Sequence, residues 1–101
     1  MPYNGHFSYN GQSVRLNAPD KIGVYYCGYL NYSNQLIPLY IGRAIGIGVT
    51  LKSRLLDHLR EDRWPDVTHF GYNVCLTKQE AESLERSEIN EHKPKYNDQL
   101  K

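Results

Sequence analysis

Ile22-Gly23-Val24-Tyr25-Tyr26-Cys27-Gly28-Tyr29-Leu30, followed after a polar stretch by Ile37-Pro38-Leu39-Tyr40-Ile41-Gly42, is the part of the chain that decides the fold. Both runs are rich in β-branched and aromatic side chains, and Asn31 to Gln35 between them is turn-prone, so the pair reads as an antiparallel hairpin. Downstream, Leu51, Leu55 and Leu59 recur at helical spacing and define a buried stripe, with Arg54 and His58, four apart, together on one edge of it. Thr68 to Leu76 alternates apolar with polar residues and predicts a third strand beside the first or the second. A second helix starts at Thr77, where Thr77 and Glu80 form a capping box. Fold class follows as α/β of the α+β type: a small antiparallel three-stranded sheet flanked by helices.

Upstream of the hairpin, His6 to Tyr9 and Gln12 to Leu16 flank Asn10-Gly11, a pair that favours a type I′ turn. Residues 1–20 are therefore expected to be an N-terminal hairpin extension, closed by the Asn17-Ala18-Pro19-Asp20 turn, with residues 21–101 as the main domain. A chain of 101 residues leaves room for one modest core. Twelve Lys and Arg balance eleven Asp and Glu, so bulk charge names no polyanionic partner and only a local patch could. Two cysteines, Cys27 and Cys75, show no close-spaced metal pattern and read as buried free thiols, which suggests a reducing, cytoplasmic setting. No apolar run approaches the roughly 18 to 20 residues that span a bilayer, so no membrane association is expected.

Two local features carry alternatives. Ile45-Gly46-Ile47-Gly48-Val49-Thr50 reads as a flexible connector, or as a glycine-rich lead into a helix N-terminus that offers N–H groups to phosphate; Thr50 is the expected N-cap. Trp64-Pro65 stops the first helix after a charged end, Arg60-Glu61-Asp62-Arg63. Along the second helix Ala81, Leu84 and Ile89 define an inward arc, and Glu85 falls inside it. A carboxylate so placed needs a cation, a hydrogen-bond cage or a divalent metal, because burying it alone costs several kcal/mol. Glu88, one turn on, is either a second acidic group at the same place or the polar edge of the arc.

Taken together, Gly23-Val24-Tyr25, Tyr40-Ile41-Gly42-Arg43-Ala44, Leu51-Lys52-Ser53-Arg54-Leu55, and Glu85 nine positions before Pro94-Lys95-Tyr96-Asn97 resemble the GIY-YIG nuclease domain. The resemblance covers roughly Lys21 to Asn97, with a longer link after Ala44 than the bacterial excision-repair version of that domain carries. It implies a metal-dependent endonuclease acting on DNA, with one Mg²⁺ or Mn²⁺ held by Glu85. Tyr25, Tyr40, Arg43, Arg54, His58 and Glu85 are the implied catalytic residues; Gly23, Gly42 and Asn97 are supporting ones, the asparagine fixing the terminal segment.

Within that chemistry Arg54 would neutralise phosphate oxygens and His58 would hydrogen-bond the phosphate or orient a water. Tyr25 or Tyr40 would take the proton of the water, its phenol pKa lowered from about 10 by the always-charged Arg43. Arg43, Lys52, Arg54 and Arg60 form the expected DNA-binding patch. So small a surface suggests a homodimer or a partner protein that supplies specificity. The alternative is a catalytically silent DNA-binding module of the same fold.

Overall fold

The computed structural model describes residues 3–62 and 64–98, the side chain of Asp98 excepted. Arg63, in the expected charged end of the first long helix, lies outside the described residues. The order of elements is β1 (Asn4–Ser8), α1 (Gly11–Asn17), β2 (Gly23–Leu30), β3 (Leu36–Ala44), α2 (Leu51–Glu61), β4 (His69–Val74), α3 (Lys78–His92) and α4 (Lys95–Asp98). The fold is α+β: one antiparallel sheet in the order β1-β4-β2-β3, flanked by helices. No helix among the described residues is long and apolar enough to cross a membrane.

The expected hairpin is β2 and β3. Asn31 turns the chain, its Oδ1 accepting from the N–H groups of Ser33 and Gln35 at 2.9 Å each. The register sets Tyr25 opposite Gly42 and Val24 opposite Arg43, and an irregularity after Cys27 shifts it before Gly28 meets Pro38. β4 pairs with β2, which decides between its two candidate neighbours.

Period-2 alternation along β2 divides the core in two. Tyr25 and Cys27 face Leu51 and Leu55 of α2, Val14 of α1 and Phe70. Val24 and Tyr26 face the other way, with Ile41, Cys75 and Ala81, and Leu84 and Ile89 of α3 pack against them. Both cysteines are buried and free, as their isolation in the sequence suggests.

The N-terminal segment corrects the expectation of a hairpin and of a three-stranded sheet. Asn10 is an N-cap rather than a turn residue: its side chain accepts from Ser13 N–H at 2.9 Å and opens α1, whose Val14 is fully buried. Asn-Gly satisfies a helix start as well as a tight turn, because Asn is among the best N-cap residues. β1 then pairs with β4 as a fourth strand, with Phe7 against Phe70 and the Tyr9 hydroxyl donating to Leu55 O at 2.7 Å. The segment is built into the sheet.

Thr50 caps α2 in a complete box with Ser53. Leu51 N–H goes to Lys21 O, Lys52 N–H to Pro19 O, Ser53 N–H to Thr50 Oγ1 and Arg54 N–H to Thr50 O. With Thr50 N–H on Ser53 Oγ, the donors that open the helix are taken within the protein and none of them is left for a phosphate. α2 ends at Glu61 on a left-handed Asp62, before Pro65 is reached. Thr77 caps α3 through Glu80 N–H, but the Glu80 carboxylate reaches back to Leu76 N–H rather than to the cap residue, so the expected box is half made.

Asn97 lies against β3, donating from Nδ2 to Ile41 O and accepting at Oδ1 from Ile41 N–H, both at 2.8 Å. Ile41 is fully buried, so removing this amide strands a donor and an acceptor. Asn97→Ala should therefore lower unfolding free energy by about 1–3 kcal/mol in urea titration; a midpoint equal to that of the parent chain would show that water replaces the side chain freely.

Candidate active site

Three elements meet around the Tyr25 hydroxyl. Tyr25 comes from the centre of β2 and is almost fully buried; Tyr40 comes from β3, Arg54 and His58 from α2. The Tyr25 hydroxyl and His58 Nε2 are 2.7 Å apart. Rings of Tyr25 and Tyr40 lie 6.1 Å apart, and those of Tyr40 and His58 5.3 Å.

The geometry explains the two motif glycines. A Cβ on Gly42 would sit 2.5 Å from the Tyr25 hydroxyl and 2.8 Å from Tyr40 Cε2, so the strand is bare where both tyrosines cross it. A Cβ on Gly23 would collide with the Asn73 carbonyl of the neighbouring strand.

Burial pushes the Tyr25 phenol well above its ordinary pKa, reinforced by Tyr40 and Cys27, while the Arg54 guanidinium, hydrogen-bonded to it, pulls the other way. The Tyr40 phenol is also raised, by burial first and then by the Glu85 carboxylate, against lowering contributions from Tyr25 and Arg54. Two corrections to the expected electrostatics follow. Both candidate bases hold their protons more firmly than free tyrosine, and the cation acting on them is Arg54 rather than Arg43.

Arg43 instead pairs with Glu85, Nη1 to Oε1 at 2.6 Å, joining the edge of β3 to α3. The Glu85 side chain is only 15% exposed, and Arg43 is its sole ion-pair partner among the described residues. A hard cation that takes one carboxylate and keeps its waters would have to share Glu85 with Arg43. Glu88 stands apart from this group: it accepts from the Tyr26 hydroxyl at 2.7 Å on the α3 face of the sheet, and Tyr26 in turn accepts from Asn73.

His58 is 7% exposed; its Nε2 is engaged by Tyr25 and its Nδ1 lies 3.6 Å from Glu61. The expected DNA-binding cations are each partnered: Arg43 with Glu85, Lys52 with Asp20, and Arg54 and Arg60 both with Asp57. Trp64, which the sequence marks only as a helix stop, belongs to this group as well. It stacks on Tyr40, with ring centroids 4.7 Å apart, and its status as the chain's sole tryptophan is the signal that could have found it.

Among known proteins, the chain is 39% identical over 92 residues to UvrABC system protein C of Hydrogenobaculum sp. (strain Y04AAS1). The overlap takes in 83% of this chain and 15% of that protein, so the chain corresponds to a small part of its relative. No family model matches the chain, and no solved structure matches it significantly.

Two outcomes are expected. Gly42→Ala should overpack the tyrosine pair and cost about 1–3 kcal/mol in stability, read as a lowered urea midpoint; an unchanged midpoint would mean that the rings move aside. Phenols raised in the folded state stabilise it fully below the unfolded value of about 10, and this contribution is lost as pH rises through the shifted values. Stability should thus fall steeply above about pH 10, and Tyr25→Phe should flatten the fall. A pH-independent urea midpoint across that range would contradict the burial of these phenols.

Proposed function

We propose that the chain is a GIY-YIG-type nuclease domain that hydrolyses DNA phosphodiester bonds with one divalent cation. The observation that carries this reading is the convergence on the tyrosine pair: Tyr25 bonded by His58 and Arg54, and Tyr40 within the fields of both Arg54 and Glu85. Similarity to a protein of the UvrABC system fits the excision-repair version of that domain.

In this reading Glu85 would hold Mg²⁺ or Mn²⁺, which when bound would supply positive charge to stabilise the phosphate as it reacts. The Tyr25 oxygen takes the proton of the attacking water while its own proton passes to His58 Nε2, in the tautomer that accepts at that atom. A firmly protonated phenol then suffices, because the proton lost to histidine is replaced from water in the same step. Arg54, beside that oxygen, offsets negative charge on the phosphate as the bond from the water oxygen to phosphorus forms and the bond to the leaving oxygen breaks, that oxygen taking a proton from solvent. Arg43 clamps Glu85 in the free protein and turns to a phosphate oxygen when DNA arrives.

DNA affinity is modest, since Arg43, Lys52, Arg54 and Arg60 must leave carboxylate partners to meet phosphates. Three or four such contacts give a slope of log affinity against log salt of about 3 to 4 in magnitude.

A second reading, a silent DNA-binding module, draws on the short Arg43–Glu85 ion pair, which would simply close the surface. Incubation with labelled duplex, branched and single-stranded DNA, with and without Mg²⁺ or Mn²⁺, separates the two. The nuclease reading expects metal-dependent cleavage that Glu85→Gln abolishes at near-parental DNA affinity and that Glu88→Gln leaves in place. DNA retained but intact under every condition would favour the silent module; cleavage surviving Glu85→Gln and lost in Glu88→Gln would move the metal to the other carboxylate.

A further inference from the structure

Trp64 sits on the loop between α2 and β4, and its indole covers the two rings on which the proposed chemistry depends. It stacks on Tyr40 with centroids 4.7 Å apart and planes 27° apart, and it lies 4.5 Å from the His58 ring. Tyr96 of α4 also stacks with it, 6.1 Å away and 28° from parallel. The loop is clasped to α4 by Asp66, whose Oδ1 accepts from the Tyr96 hydroxyl at 2.6 Å and whose Oδ2 faces Lys95 Nζ at 3.4 Å.

Beside His58 and Trp64 lies a cavity of about 190 Å³, bounded also by Tyr9, Leu59, Asp62 and Val67. The imidazole is therefore not wedged by solid core on that side. Around the imidazole stand the Tyr25 hydroxyl, the Tyr40 ring, the indole and the Glu61 carboxylate. Charged or titratable groups around it are Tyr25 of β2, Tyr40 of β3, Glu61 of α2, and Tyr9 and Asp62 at the cavity.

We propose that Trp64 is a positioning residue for the reaction: it holds Tyr40 and His58 in the orientation that keeps the Tyr25 hydroxyl bonded to Nε2, and the Asp66 clasp makes α4 the brace of that stack. This rests on the nuclease reading for its consequence in rate, but the stack itself is measurable without DNA. Its ring contacts are with Tyr40, His58 and Tyr96, neither the proposed metal ligand nor a phosphate-binding cation, so its loss should act on turnover and not on binding.

As the chain's sole tryptophan, Trp64 reports its own surroundings by fluorescence. Tyr40→Ala, His58→Ala and Asp66→Asn should each shift its emission to the red and raise quenching by acrylamide, whereas Tyr32→Ala, a fully exposed site in the hairpin turn, should do neither. In cleavage assays Trp64→Ala should lower kcat by about 10- to 100-fold with KM unchanged, the loss expected when reacting groups drift by about an ångström or less. Trp64→Phe, which keeps an aromatic face, should recover most of that rate. Asp66→Asn, a surface change, should lower kcat several-fold and guards against a Trp64→Ala chain that fails to fold.

Unchanged kcat in Trp64→Ala would overturn the proposal. So would a rise in KM at intact kcat, which would make Trp64 a DNA contact, or a Trp64→Phe chain as impaired as Trp64→Ala. Emission indifferent to Tyr40, His58 and Asp66 would overturn the stack itself. A parental chain that cleaves nothing would defeat the nuclease reading instead, with the emission measurements still deciding whether the stack exists.

Discussion

The approach of two tyrosine rings to a bare stretch of strand is the constraint from which the site follows. Tyr25 can lie over β3 only because the residue opposite it is Gly42, and Tyr40 uses the same space from its own strand. Once the phenols are fixed there, the stripe of α2 that buries Leu51 and Leu55 must pack on the same face of the sheet. Within one turn after Leu55 the helix brings His58 to the Tyr25 hydroxyl, while Arg54, the residue before Leu55, comes within reach of the same oxygen. Helix pitch and strand register act together: a one-residue slip in β3 would put a side chain where Gly42 stands.

The two faces of the sheet divide the labour. The α2 face carries the phenols, the imidazole and a guanidinium around one oxygen atom. The α3 face carries a separate polar chain from Asn73 through Tyr26 to Glu88, with the Asn73 Oδ1 left without a hydrogen-bond partner among the described residues. Glu85 and Arg43 join the two at the β3 edge. Burial on one face thus keeps the phenols protonated, and at the rim Arg43 and Glu85 are paired.

Much of this was legible from residue patterns. The β2–β3 hairpin, the α2 stripe, the Thr50 and Thr77 caps and the inward Glu85 all follow from periodicity and local hydrogen bonding, which act over a few residues. What escaped depends on pairing at long range or on a local ambiguity. Asn10-Gly11 suits a turn and a helix cap equally, and only the burial of Val14 against α2 and β4 decides between them. The partner of Arg43 could not be read, because Glu85 is 42 positions away and nothing local links them. Likewise the direction of the tyrosine shifts depends on how deeply β2 is covered, which the order of strands decides, and that order includes a strand contributed by the N-terminal segment.

Asn97 has a consequence beyond holding the C-terminal turn. β3 is an outer strand, and an outer strand presents unpaired backbone groups that can recruit a strand from another molecule. By occupying both the N–H and the carbonyl of Ile41, the Asn97 amide imitates one residue of a fifth strand and then ends. A peptide or a second copy seeking to extend the sheet along β3 would first have to displace that amide. The side chain is therefore a terminator as well as a fastener: it closes the backbone of β3 at Ile41, between Tyr40 and Arg43, to a further strand.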